Sequence, residues 1–195
     1  MLSEPRPIQD HAVYERVVLL GFMASGKTQI GKRLARALGW RHVDLDHEIE
    51  LHAGRAIAEI FADRGEPAFR SLERSMTPAF LNARDIVFTP GGGWVTNEGI
   101  FDTIPEGSLS VWLKAHPDAI IRRATRRRNQ GKRPLLDVEN PARRARELLA
   151  AREPLYAQAD IHISTDDLSL NQVVTQLEMI IRGRNAAGVP VREHG

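Results

Sequence analysis

Gly21-Phe22-Met23-Ala24-Ser25-Gly26-Lys27-Thr28 has the spacing G-x-x-x-x-G-K-[ST], and each fixed position has a chemical reason. The glycines let the backbone curl so that successive N–H groups face one anion, and the helix that follows adds its positive dipole end. Lys27 reaches the β- and γ-phosphates as a point charge, and the Thr28 hydroxyl is a magnesium ligand. The pattern lies between an apolar run, Arg16–Leu20, and an amphipathic stretch with Ile30, Leu34, Ala37 and Leu38 on one stripe. That context separates it from a chance glycine loop. Gly21, Ala24, Ser25, Gly26, Lys27, Thr28 and Gln29 therefore read as an ATP site with Mg2+. The motif is silent about what receives the phosphate.

Other residues could do chemistry but are ambiguous alone. Asp44-Leu45-Asp46 closes a short run, Trp40–Asp46, that reads as a strand. Residues two apart on a strand share a face, so both carboxylates would leave it on one side. The same three residues also suit a helix cap plus a surface charge, with Asp46 capping a helix from residue 47. Arg70 and Arg152 have the planar fork that binds a carboxylate through two parallel bonds. As isolated residues they read more often as solvated helix charges. Glu73 stands at i+3 from Arg70, the spacing of a helical ion pair. Gly91-Gly92-Gly93 would let main-chain N–H groups approach a ligand, although a tight turn also uses glycine.

Positive charge concentrates in Arg122, Arg123, Arg126, Arg127, Arg128, Lys132 and Arg133. A nucleic-acid patch is one reading. No aromatic residues are interleaved for base stacking, however, and the stretch runs directly into Arg133-Pro134-Leu135-Leu136.

These residues need a scaffold. Arg16–Leu20, Trp40–Asp46, Asp85–Thr89, Leu109–Leu113 and Asp160–Ser164 read as short apolar strands. Helical patterns separate them: one from Gly26 to about Leu38, a region over 47–83 broken near Gly54 and Gly65, and others from Pro117, over about 141–152 and over 168–182. Strands alternating with helices predict an α/β fold with a parallel sheet covered on both faces. No repeat or linker divides the chain, so 1–195 reads as a single domain. Residues 1–15 and 183–195 read as tails, and the polar, proline-bearing stretch over about 126–137 as a flap.

A chain of 195 residues buries enough surface to need no staples. It has no cysteine, which excludes disulfides, thiolate metal sites and thiol catalysis. The N-terminus lacks a secretory apolar segment, and no run approaches about 18 apolar residues. A cytoplasmic monomer without membrane or nucleic-acid partners is the expectation.

From about residue 16 to residue 182 the chain resembles the shikimate kinases. The resemblance rests on Gly21–Thr28, Asp44-Leu45-Asp46 with Glu48-Ile49-Glu50, and Ala56-Ile57-Ala58-Glu59-Ile60-Phe61. It continues through Gly65-Glu66-Pro67-Ala68-Phe69-Arg70 with Glu73, Gly91–Gly93, Lys132-Arg133-Pro134-Leu135-Leu136 and Arg152-Glu153-Pro154-Leu155-Tyr156. It implies a three-layer P-loop kinase fold: a central parallel sheet of about five strands, helices on both faces, a lid over about 126–137 and a helical substrate-binding insertion over about 44–83. The implied activity is ATP-dependent phosphorylation of the 3-hydroxyl of shikimate. The alternative is a P-loop kinase of another small hydroxy acid or sugar acid.

By the same resemblance, Asp44 joins Thr28 in holding Mg2+, through water. Asp46 binds the acceptor hydroxyls and is the candidate base. Arg70 and Arg152 clamp the acceptor carboxylate, and Gly91, Gly92 and Gly93 line its site. Arg133 reaches the transferring phosphoryl group, with Lys27 and Asp46 completing the catalytic set. Arg126 is a second nucleotide-side arginine, although Arg127 stands beside it. Two positions depart from the pattern: Ala24, where the family usually has glycine, and Trp94, where it usually has a small residue. Trp94 either packs as core or narrows the acceptor pocket.

Overall fold

A computed structural model describes residues 13–126, 135, 139–166 and 168–187. The strands are β1 (Arg16–Leu20), β2 (Arg41–Asp44), β3 (Ile86–Thr89), β4 (Ser108–Lys114) and β5 (Ile161–Ser164). They form one sheet in the order β2-β3-β1-β4-β5, and every pairing is parallel. The helices are α1 (Lys27–Leu38), α2 (Leu45–Ala53), α3 (Ile57–Leu81), α4 (Pro117–Arg126), α5 (Pro141–Tyr156) and α6 (Leu170–Ala187). Two short 3-10 turns, Trp94–Thr96 and Ile100–Thr103, follow β3.

The central strands β1, β3 and β4 are buried along most of their length because both faces are covered. Val17 and Leu19 of β1 point into one core layer with Val87, Leu109, Val111 and Leu113, where α1 and α6 pack. Val18 and Leu20 point into the other with Ile86, Phe88 and Trp112, against α2, α3, α4 and α5. The two-residue period of the strands thus divides the molecule into three layers, the P-loop kinase fold expected. Among the described residues no helix is long and apolar enough to cross a membrane.

The sheet order also positions the chemistry. β3 lies between β1 and β2. The glycine loop after β1, the aspartates at and just beyond the end of β2 and the glycine run after β3 therefore leave the carboxyl edge side by side. This edge is where ligands of parallel sheets bind.

Several boundaries differ from expectation. β2 ends at Asp44, its last pairing being with Thr89, and α2 begins at Leu45, which is fully buried. Asp46 thus stands in the first turn of α2 and not on the strand. Asp44, with extended φ −101° and ψ 109°, occupies the N-cap position instead. α5 continues to Tyr156, helped at its start by Asn140, whose side chain accepts from the Arg143 N–H at 3.0 Å ahead of Pro141. α6 runs to Ala187, and Asn185 Oδ1 accepts from Tyr14 N at 2.7 Å. Glu15 N donates to Gly107 O at 2.8 Å. Residues 13–15 and 183–187 therefore belong to the packed body and not to tails.

Candidate active site

The glycine loop joins β1 to α1 through two left-handed glycines, Gly21 (φ 144°) and Gly26 (φ 100°). A β-carbon at Gly21 would fall 2.7 Å from Leu113 O. Ala24 also has φ 62°, a conformation that costs a non-glycine residue. Lys27 Nζ donates to Gly21 O at 2.7 Å and Phe22 O at 3.1 Å, which folds the ammonium over the loop. Thr28 Oγ1 donates to Asp44 Oδ2 at 2.9 Å. A hydroxyl and a carboxylate side by side at the start of α1 suit Mg2+, which takes few protein oxygens and keeps phosphate and water ligands.

Gly91–Gly93 carries three different close approaches. A β-carbon at Gly91 would lie 2.7 Å from Asp46 Oδ1 and 3.2 Å from Glu73 Oε1. At Gly92 it would lie 2.9 Å from Met23 N, and at Gly93 2.0 Å from Arg70 Nη2. A plain turn would demand none of these.

Arg70 and Glu73 stand on the second half of α3, after a break at Gly65 (φ 73°, ψ 177°). Arg70 Nη1 donates to Glu73 Oε2 at 2.6 Å, and its Nη2 to Glu66 Oε1 at 2.7 Å. Glu73 is fully buried. Desolvation pushes its carboxyl pKa up despite Arg70 beside it. Asn97 Nδ2 adds a bond to Glu73 Oε2 at 3.0 Å. Arg152 is 4% exposed and donates to Gly92 O at 3.3 Å. Tyr156 OH donates to the same carbonyl. Burial lowers the Arg152 pKa.

Asp46 opens on one side to solvent, but its Oδ1 is wholly buried and bonded to no protein atom. Desolvation, with the charges of Glu73 and Asp44, raises its pKa to about 7 against the pull of Lys27 and Arg70.

Three adjoining clefts meet along this edge. The outer one, about 420 Å³, is lined by Ala24, Ser25, Gly26, Gln29, Arg123 and Thr165 with Leu168 and Leu170. The middle one, about 450 Å³, holds Lys27, Thr28, Asp44, Asp46 and Gly91–Gly92. The inner one, about 320 Å³, holds Asp46, Arg70, Gly91–Gly93 and Arg152, with Phe61, Phe69 and Leu135 supplying apolar wall. Asp46 and the glycine run border both the middle and inner clefts, so one carboxylate touches the phosphate side and the arginine side together.

Most of the expected site residues are therefore brought together. Arg133, nearly all of the expected lid and the Arg126 side chain lie outside the described residues. Arg123, read from sequence only as part of the basic stretch, lines the outer cleft. Trp94 is fully buried, contacting Phe88 and Phe101 at centroid distances of 6.3 and 6.1 Å, and is absent from the wall of the inner cleft. Of its two expected placements it takes the core one. Asn97 and Tyr156 were missed. Tyr156 stood in a recognised motif, whereas nothing local marks Asn97.

A model of the shikimate kinase family matches residues 23–182. The chain belongs to this family. A shikimate kinase of Nitrobacter winogradskyi is 41% identical over 176 residues, spanning 90% of this chain and 81% of the relative. One of Thermus thermophilus is 40% identical over 188 residues, 96% of this chain and 98% of the relative. The shikimate kinase of Acinetobacter baumannii, solved in complex with shikimate, superposes with a TM-score of 0.81 at 32% identity. That likeness covers 88% of this chain and 95% of the other. The residues matched by the family model include Lys27, Thr28, Asp44, Asp46, Gly91–Gly93, Arg70 and Arg152.

Proposed function

We propose that this protein transfers the γ-phosphoryl group of ATP to the 3-hydroxyl of shikimate, yielding shikimate 3-phosphate and ADP. The observation that carries the reading is the position of Asp46, at the junction of a phosphate cradle and a cleft holding two buried arginines. Arg70 and Arg152 bind the acceptor carboxylate, and Gly91–Gly93 present backbone to the ring. The acceptor hydroxyl gives its proton to Asp46 as its oxygen bonds to the γ-phosphorus, and the bond from that phosphorus to the β–γ bridging oxygen breaks to release ADP. A base with a pKa near 7 suits proton transfer at neutral pH.

Lys27 and Gly21, Ala24, Ser25, Gly26, Thr28 and Gln29 hold the nucleotide phosphates, with Arg126 on the nucleotide side. Thr28 and Asp44 would hold Mg2+, which when bound neutralises phosphate charge. Arg133 is assigned to the transferring phosphoryl group, and closure of the segment over 126–137 to exclusion of water. A single domain working as a cytoplasmic monomer completes the proposal. The alternative of another hydroxy acid or sugar acid drew on a narrowing of the pocket by Trp94, and the buried ring removes that support.

Identifying the product tests the reading. Phosphorus–proton coupling in the purified product should run to the ring proton at carbon 3. Coupling to another ring proton would overturn the regiochemistry, and higher kcat/KM on a sugar acid would overturn the acceptor.

A further inference from the structure

The Trp94 indole Nε1–H donates to Thr77 Oγ1 at 2.9 Å. A threonine hydroxyl has one hydrogen, and Thr77 gives it to the Glu73 backbone oxygen, one helical turn earlier, at 2.6 Å. The two bonds run in one direction, from indole to hydroxyl to the backbone of α3. A second path leaves the same short turn: Asn97 Nδ2 donates to Glu73 Oε2 and to Trp94 O, both at 3.0 Å. Segment 94–97 thus holds Glu73 at both ends, its carbonyl through Thr77 and its carboxylate through Asn97. That carboxylate accepts from Arg70 Nη1 at 2.6 Å. The segment begins next to Gly93, against which the Arg70 guanidinium lies.

We propose that Trp94, acting through Thr77 and Glu73, is a positioning residue for Arg70 and sets the guanidinium's place in the inner cleft. The inference rests on reading Arg70 as a ligand of the acceptor carboxylate. Trp94, Thr77 and Glu73 are each fully buried. In such surroundings a chain of directed bonds admits one arrangement, since breaking any link strands a polar group away from water. The large ring at a position beside the glycine run therefore serves the acceptor from behind, through the helix that carries its ligand.

A pair of substitutions separates this role from mere packing. Thr77→Val keeps the branched shape and removes the hydroxyl, whereas Thr77→Ser keeps the hydroxyl and removes a methyl. The proposal predicts that Thr77→Val and Trp94→Phe raise the acceptor KM about three- to tenfold, with kcat and the ATP KM unchanged. Thr77→Ser should stay within about twofold of wild type, and the Trp94→Phe/Thr77→Val double variant should be no worse than either single one. The reverse order, with Thr77→Ser impaired and Thr77→Val normal, overturns the proposal, as does an unchanged acceptor KM in both Thr77→Val and Trp94→Phe. If Trp94→Phe does not fold, the two Thr77 variants decide alone.

Wild-type protein that ignores shikimate would strike the acceptor reading itself. The relay is then read from the Trp94 indole N–H resonance in a 1H–15N spectrum. Glu73→Gln should move it although Glu73 does not bond to the indole, and an unmoved resonance overturns the relay.

Discussion

Asp46 and Gly91 approach so closely that a β-carbon on residue 91 would stand 2.7 Å from Asp46 Oδ1. The first turn of α2 is thereby pressed onto the end of β3, with Glu73 Oε1 facing the same glycine. Two carboxylates and a backbone without a side chain form the floor where the phosphate and acceptor clefts join. The same crowding raises the Asp46 pKa, through burial first and then the charges of Glu73 and Asp44.

Adjacent glycines should separate the two substrates. A β-carbon at Gly92 meets the glycine loop at Met23 N, whereas one at Gly93 meets the Arg70 guanidinium. Gly92→Ala should raise the ATP KM more than the acceptor KM. Gly93→Ala should raise the acceptor KM about tenfold or more while sparing ATP, since it displaces a charge-assisted contact. Steady-state kinetics with each substrate varied in turn will check the contrast.

The Asp46 pKa of about 7 lies above its ordinary 3.8, which fixes two pH effects. With Asp46 proposed as the base in its ionised form, activity should rise with pH through an apparent pKa near 7. Stability should move oppositely. Between about pH 4 and pH 7 the folded protein keeps a proton that the unfolded chain has released, so this group's contribution falls as pH increases. Asp46→Asn should therefore raise the melting temperature at pH 8 by about several degrees while leaving it nearly unchanged at pH 4. Calorimetry at the two pH values provides the check.

Sequence and structure agree where the information is local. The apolar runs mark the three central strands, β1, β3 and β4, because these are buried on both faces, and the glycine-lysine-threonine spacing marks the phosphate loop. Asp46 was misplaced onto β2 because the pleat argument needs the strand to continue. Its end is set by Leu45 plugging the core, a tertiary fact. Trp94 was ambiguous for a similar reason: its partner Thr77 lies 17 residues away on another element. Asn97 left no trace, since its buried bond to Glu73 depends on how the turn after β3 meets α3.

Thr28 and Asp44 should govern the magnesium requirement. Asp44→Asn keeps the shape and a hydrogen bond from Thr28 but removes the charge. The magnesium concentration for half-maximal rate should rise about tenfold or more, while Thr28→Ser stays close to wild type because it retains the hydroxyl. Removing magnesium with chelator should abolish turnover in every variant. Rates measured across a magnesium titration will show it.

Ala24 sits in left-handed backbone at φ 62°. Relief of that strain favours Ala24→Gly by about 1–2 kcal/mol, and the extra freedom of the unfolded chain opposes it by about 0.4–1 kcal/mol. The net effect should be a stabilisation between about zero and about 1.6 kcal/mol. Denaturant midpoints at constant slope will measure it.

The most direct test is ADP release by the purified protein with ATP and magnesium, with and without shikimate, beside Asp46→Asn. The account predicts turnover that depends on shikimate and falls about 10²–10⁴-fold in the variant. Turnover indifferent to shikimate, or undiminished in Asp46→Asn, would contradict it.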